Sequence, residues 1–304
     1  MIGQLSISNR TNVYYACFNL FTYFPFKESP LGAFGKDTLS EPIYQGIFDL
    51  TMTYRHDSEI TLNYGHFVNK TTNEIIKPNS FINYEKKKQL IYHLRKYGLN
   101  ELDERTKDIA WIVSHCDTIS KREHYVKEMQ KYHGLKIDTF GKCAGDNAGG
   151  LSEIPDRKIG WVNAYEKLAP DYKFYLSFEN SRCLDYITEK FFTALEFGMI
   201  PVVLGGLSKR DYEKKAPPHS FLHVDDFKSP GHLMKELHLI AKDSKLFNSY
   251  FWWQDYYRVQ VNILCCPSHE WTYPACQLCD ILNSNNTNTK NNYDNLNAFW
   301  HKCR

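Results

Sequence analysis

The run Tyr172-Lys-Phe-Tyr-Leu-Ser-Phe-Glu-Asn-Ser-Arg-Cys-Leu-Asp-Tyr-Ile-Thr-Glu-Lys190, followed shortly by Ala194-Leu-Glu-Phe-Gly-Met-Ile-Pro-Val-Val-Leu-Gly-Gly206, decides the fold class. From Lys173 to Phe178 it is short, continuous and rich in aromatics, as a strand covered on both faces must be. It breaks at Glu-Asn-Ser-Arg. Asp185 is then the expected N-cap of a helix carrying Tyr186, Ile187, Phe191, Phe192 and Leu195 on its apolar side, with Gly198 as its stop. Ile200–Leu204 is a second, β-branched strand closed by Gly205-Gly206. A strand, a helix and a strand in so short a space make a parallel βαβ unit.

The same alternation extends outward. Upstream, Ile109–Val113 reads as a buried strand, residues 121–132 as a helix and Leu135–Phe140 as a strand, ending in a Gly-rich loop from Gly141 to Gly150. Downstream, Pro217-Pro218 marks a loop, Ser220–Val224 a strand and Ser229–Ala241 a helix. Repeated βα units predict a doubly wound α/β sheet. Earlier in the chain, Phe48–Tyr54 is a strand candidate, Val13–Phe21 reads as a buried strand, and the polar run from Lys86 to Asp108 reads as a solvated linker. Half of residues 281–292 are Asn, the composition of a loop or tail.

Composition narrows the function classes. The chain has 304 residues, 37 Lys and Arg against 35 Asp and Glu, and a formal charge of +2, so it lacks the basic excess that would clamp a nucleic-acid backbone. With 42% hydrophobic and 15% aromatic residues it can bury a large core. The longest apolar stretch, Phe192–Leu207, is interrupted by Glu196, glycines and a proline and is too short to span a bilayer. Phosphate-loop, H-E-x-x-H and G-x-S-x-G patterns are absent from the sequence. Asp225-Asp226 alternate faces at a strand end and suit capping or surface roles rather than a metal site. Cys265, Cys266, Cys276 and Cys279 lie close together with His269, and either disulfides or a zinc site with Cys276-x-x-Cys279 would use them. Sequons at Asn9, Asn69 and Asn285 fit a secretory context.

In an open parallel sheet, ligands bind beyond the carboxyl ends of the strands, which places Asn180, Glu189 and Lys190 at the expected site. A helix N-terminus there, with Lys190 beside it, suits an anion such as a pyrophosphate.

The 172–206 block resembles the signature of the α1,3-fucosyltransferases, Golgi enzymes that move fucose from GDP-fucose to N-acetylglucosamine. Further segments agree in the family's order: Lys27-Glu-Ser-Pro30, Phe48–Glu59 with Asn63-Tyr-Gly65, Trp111-Ile-Val-Ser-His115 with Arg122, and Pro217–Phe227 with Ser229-Pro230. The resemblance runs from about residue 28 to 280 and departs from the family at His115, where Asn is usual. It implies an α/β fold of glycosyltransferase B type with two Rossmann-like lobes, the N-terminal one incomplete. Residues 1–105 would form the partial acceptor-side lobe and linker, 106–260 the GDP-fucose-binding lobe, and 261–304 a Cys-rich and Asn-rich C-terminal segment.

For the chemistry, the resemblance implies inverting transfer to the 3-hydroxyl of N-acetylglucosamine in a glycoprotein or glycolipid glycan. Glu28 is the implied base, with Arg122 and Lys190 on the donor diphosphate. Tyr64, Ser114, Tyr175, Asn180, Tyr186 and Glu189 would line the nucleotide-sugar pocket. No cofactor is required on this reading, a divalent metal acting at most as a stimulant. Cys143 and Cys183 lie beside the pocket segments and are implied to pair. Full-length members are type II membrane proteins facing the Golgi lumen. Here only 27 residues precede Glu28, so the expectation is a chain lacking the anchor and several strands of the first lobe. A paralogue or isoform that only binds nucleotide sugar or glycan is therefore the alternative, and a zinc-dependent interaction module around Cys265–Cys279 a third.

Overall fold

The structure is a computed structural model that describes residues 51–82, 105–147, 160–262 and Cys303. Two compact units divide the chain: one comprises Met1–Leu62 with Pro267–His301, the other Asn63–Cys266 with Lys302–Arg304. Of the first unit, residues 51–62 are described. They hold two short parallel strands, β1 (Met52–Thr53) and β2 (Ile60–Thr61), with Met52 opposite Ile60. The Glu59 carboxylate accepts from the Thr51 N–H and hydroxyl, both at 2.7 Å, and Arg55 pairs with Asp57. The expected strand Phe48–Tyr54 is thus two residues long in its described part. Residues 13–21, the 86–104 part of the linker and the 281–292 tail lie outside the described residues.

The second unit is built on a five-stranded, wholly parallel sheet: β4 (Lys107–Ile112), β5 (Ile137–Phe140), β6 (Tyr172–Phe178), β7 (Ile200–Leu204) and β8 (Leu222–His223), in the spatial order β5-β4-β6-β7-β8. The helices between successive strands are α1 (Arg122–Met129), α2 (Gly160–Leu168), α3 (Glu189–Glu196) and α4 (Lys209–Lys215), followed by α5 (Pro230–Lys242) and α6 (Ser244–Ser249). β6 explains why the sheet is covered on both sides. Phe174, Leu176 and Phe178 point into one core with Val126 and Met129 of α1 and Leu233, Met234, Leu237 and Ile240 of α5. Tyr175 points into the other, with Ala164, Tyr165 and Leu168 of α2 and Ala194 of α3. With period-two alternation, a strand that feeds two cores reads as one apolar run. The predicted α/β class, with a doubly wound parallel sheet, is the observed one.

Element positions follow local chemistry. Ser229 caps α5 by accepting from the His232 N–H, with Pro230 in the first turn. Gly198 ends α3 at φ +72, the left-handed value that a C-terminal glycine supplies. The expected cap at Asp185 is not the observed one. Asp185 itself is left-handed, at φ 62, and its carboxylate takes the Lys215 ammonium at 2.9 Å. The chain therefore enters the helix only at Thr188, whose hydroxyl caps α3, so Tyr186 and Ile187 precede the helix instead of lying on it. The strand expected over Ser220–Val224 contracts to two residues because Val224–Asp226 turns into a 3-10 segment.

One antiparallel ribbon joins β3 (Gly65–Asn69) to β9 (Tyr257–Val261). It packs on α3 through Phe67, which meets Trp253 edge-on at 5.5 Å and lies 6.4 Å from the Phe192 ring. Among the described residues no helix is long and apolar enough to cross a membrane.

Candidate functional site

The chain lays down β4, crosses to β5 on one side, then returns to place β6 on the other. The connections leave β4 and β6 in opposite directions, so their carboxyl ends part and leave a crevice, the position where open α/β sheets bind ligands. Its walls are the segments after β4 (Val113–Arg122) and after β6 (Glu179–Lys190).

Arg122 opens α1 and is 3% exposed. One of its Nη atoms donates to the Phe178 carbonyl at 2.5 Å and the other to the His115 carbonyl at 3.3 Å, while its Nε is buried with no partner. Burial lowers its pKa, and the nearby charge of Glu179 opposes this. The guanidinium is thus held by neutral carbonyls and keeps one donor in reserve. Ser120 ties the two walls, its hydroxyl bonding the Glu179 carbonyl at 2.7 Å and its N–H the Asn180 carbonyl at 3.2 Å.

On the β6 wall, Glu189 and Lys190 occupy the first two positions of α3. The Lys190 Nζ lies 2.9 Å from the Thr188 hydroxyl, 3.1 Å from Glu189 and 3.4 Å from Glu179. Burial alone would lower its pKa, but the two carboxylates outweigh that and raise it, so the group remains an ammonium. Glu179 is fully buried; burial raises its pKa, opposed by Lys190 and by the Thr188 hydrogen bonds.

Tyr175 is buried in the second core, its ring 4.7 Å from Tyr165, and burial pushes its hydroxyl up to about 12. Tyr186 and Tyr64 are both buried and meet edge-on at 6.2 Å. Asn180 is half-buried, with its side-chain oxygen enclosed and unbonded. Ser114 is partly exposed at the end of β4. The eight expected pocket residues from Tyr64 to Lys190 therefore belong to one compact unit, and the contacts draw Arg122, Asn180, Glu189 and Lys190 to one crevice. Glu28, the expected base, lies outside the described residues, as do Cys265, Cys266, Cys276 and Cys279.

Sequence reasoning missed Glu179, Thr188 and Arg182. Arg182 donates Nε–H to the Gly205 carbonyl at 3.0 Å and grips both oxygens of Asp225 at 3.0 and 2.8 Å, which gives Asp225 a latch role. Asp226 pairs with Lys209 at 3.0 Å. Glu179 was findable from its place as the first residue past β6, and Thr188 from its hydroxyl directly before the apolar run.

The expected pairing of Cys143 with Cys183 is overturned. Cys143 bonds Cys116, and Cys183 bonds Cys303. Sheet order gives the reason: Cys143 follows the edge strand β5, whose neighbour is β4, and β4 stands between it and β6.

The chain matches the family "Glycosyltransferase family 10 (fucosyltransferase) C-term" over residues 102–300. It is 36% identical over 262 residues to Alpha-(1,3)-fucosyltransferase C of Drosophila melanogaster, covering 86% of this chain and 56% of that protein. It is 35% identical over 252 residues to Glycoprotein 3-alpha-L-fucosyltransferase A of the same organism, covering 82% and 42%. With the human 4-galactosyl-N-acetylglucosaminide 3-alpha-L-fucosyltransferase 9 it shares 33% over 234 residues, covering 77% and 53%. The chain thus spans about half the length of the curated relatives it matches.

Proposed function

Because the chain belongs to glycosyltransferase family 10, we propose that it transfers fucose from GDP-fucose to the 3-hydroxyl of N-acetylglucosamine in a glycan, with inversion at the fucose anomeric carbon. The observation that carries this reading is the pair of enclosed cations, the buried Arg122 and the partly buried Lys190, on the two walls of the switch-point crevice. Departure of GDP builds negative charge on the β-phosphate. Buried, preorganised donors stabilise such charge far better than solvated ones. Arg122 contributes its unbonded Nε–H. Lys190 contributes its ammonium by exchanging the part-exposed Glu189 for a phosphate oxygen, and the N-terminal end of α3 adds its dipole.

In this reading the acceptor hydroxyl gives its proton to a carboxylate, assigned to Glu28, as its oxygen bonds to the anomeric carbon. The bond to GDP breaks from the opposite face, and its electron pair leaves on the phosphate. Tyr175, Tyr186 and Tyr64 form the aromatic walls, with Asn180, Glu189 and Ser114 offering polar contacts to the nucleotide sugar. The disulfides Cys116–Cys143 and Cys183–Cys303 support an oxidising compartment, in keeping with the Golgi lumen.

The test is calorimetric titration with GDP and with UDP, followed by an assay of GDP release from GDP-fucose, with N-acetyllactosamine and with an N-glycan core as acceptors. The reading expects GDP to bind and UDP to bind far more weakly, turnover on one acceptor, and loss of that turnover in Glu28→Gln with GDP affinity retained. GDP binding without turnover on either acceptor would assign the chain to binding alone. Full turnover by Glu28→Gln would remove that residue as base.

A further inference from the structure

We propose that Glu179 is a positioning residue for Lys190, the fixed anchor against which the ammonium is aimed into the crevice. The proposal rests on the donor-diphosphate reading of Lys190 above. Glu179 is the first residue past β6, and its N–H still pairs with the Leu204 carbonyl at 2.9 Å, so the sheet fixes its backbone. One carboxylate oxygen accepts from the Thr188 N–H at 2.8 Å, both oxygens lie 2.9 Å from the Thr188 hydroxyl, and the second also faces Lys190 at 3.4 Å. Thr188 in turn caps α3 and touches the Lys190 ammonium at 2.9 Å. The carboxylate thus holds both the cap of the helix and the cation beside it.

A charge is not needed for the cap alone. An amide of the same size would accept from the Thr188 N–H, and a buried carboxylate carries a desolvation penalty that its pairing need not repay, so a buried ion pair is weak evidence for stability. What the charge adds is directed at the ammonium. The two carboxylates around Lys190 also differ in kind: the Glu179 side chain is 1% exposed and the Glu189 side chain 29%. An arriving diphosphate can displace Glu189 outward, while Glu179 stays in place and keeps the Nζ pointed forward.

The experiment is a double-mutant cycle on the whole chain, with GDP affinity read by calorimetry for wild type, Glu179→Gln, Lys190→Ala and the double variant. Glu179→Gln is expected to weaken GDP binding about tenfold, the scale of a charge-assisted hydrogen bond. It is expected to have no further effect once Lys190 is alanine. Glu179→Asp, which keeps the charge but withdraws it by one methylene, should fall between wild type and Gln. Equal losses in both backgrounds would mean a merely structural role and overturn the proposal. So would tighter GDP binding by Glu179→Gln, which would make Glu179 a counter-ion that phosphate must displace. If Glu179→Gln fails to fold, Thr188→Ala, which removes the hydroxyl between the two charges, goes through the same cycle with the same loss of additivity expected. Absence of GDP binding in the wild type removes the donor reading and this proposal together, whereas GDP binding with additive losses removes this proposal alone.

Discussion

The two walls of the crevice each carry one enclosed cation and one disulfide, and they hold them in opposite ways. After β4, Arg122 is fixed by two backbone carbonyls, and the Cys116–Cys143 bridge closes a local span of 27 residues. After β6, Lys190 is fixed by two carboxylates and a hydroxyl, and the Cys183–Cys303 bridge reaches across 120 residues to the end of the chain. That second wall has further ties. Arg182 grips Asp225, Lys215 grips Asp185, and Gly206 runs so close that a Cβ there would lie 2.1 Å from the Cys183 carbonyl oxygen. The contrast separates two duties. Carbonyls orient a guanidinium without cancelling its charge, so Arg122 offers standing positive potential to an anion. Lys190 is compensated until a ligand takes the place of one partner, so its wall must hold position through an exchange.

The largest expected difference lies in stability. Chain entropy assigns a bridge across 120 residues about 5 kcal/mol and one across 27 about 3.5 kcal/mol, as upper values in the absence of strain. Cys303→Ser should therefore lower the free energy of unfolding by up to about 5 kcal/mol, measured by urea denaturation, and Cys116→Ser by up to about 3.5 kcal/mol. Equal losses would erase the asymmetry between the walls, and a larger loss for Cys116→Ser would reverse it.

The cations give the next effect. Arg122→Lys keeps the charge but loses the fork that reaches two carbonyls while presenting a third N–H. GDP affinity should drop about 30-fold, or roughly 2 kcal/mol, because a lysine here would satisfy one carbonyl at most. Unchanged affinity would show that the β4 wall supplies charge alone and that the guanidinium fork is not needed.

How much of this was legible beforehand follows from where the information sits. The strands β6 and β7 were readable because burial on both faces forces a continuous apolar run, a constraint written wholly into local sequence. The site was readable as a place, since the carboxyl ends of those strands define it. Asp185 misled because both Asp185 and Thr188 are good caps. The choice was made by the Lys215 ammonium, a partner 30 residues away. The disulfide pairing failed for the same reason. Which cysteines meet depends on β5 lying outside β4, and strand order is a property of the whole sheet. Glu179 was overlooked because its function lies in three partners, Thr188, Lys190 and the Ser120 hydroxyl, that no spacing rule connects to it.

The smallest expected effect is a pH dependence confined to the β6 wall's outer anchor. His223, at the end of β8, is buried. Its Nε2 lies 2.9 Å from the Leu207 carbonyl and its Nδ1 accepts from the Asp225 N–H at 3.1 Å, a pattern that the neutral ring satisfies completely. Burial lowers its pKa, opposed by the Leu207 carbonyl and by the charges of Asp225 and Asp226. The unfolded chain therefore takes up this proton at a higher pH, near 6.5, than the folded chain does, so the contribution is present above that pH and is lost progressively as pH falls below it. The loss is bounded by the limit for a single proton, about 1.4 kcal/mol per pH unit. Protonation also takes the acceptor from the Asp225 N–H, loosening the carboxylate that Arg182 grips. Urea denaturation at pH 7.5 and 5.5 of wild type and His223→Asn, which keeps an acceptor near Nδ1 but does not titrate, isolates the effect. The pH-dependent loss should be smaller in the variant. Equal losses would mean that the outer anchor of the β6 wall is indifferent to this proton.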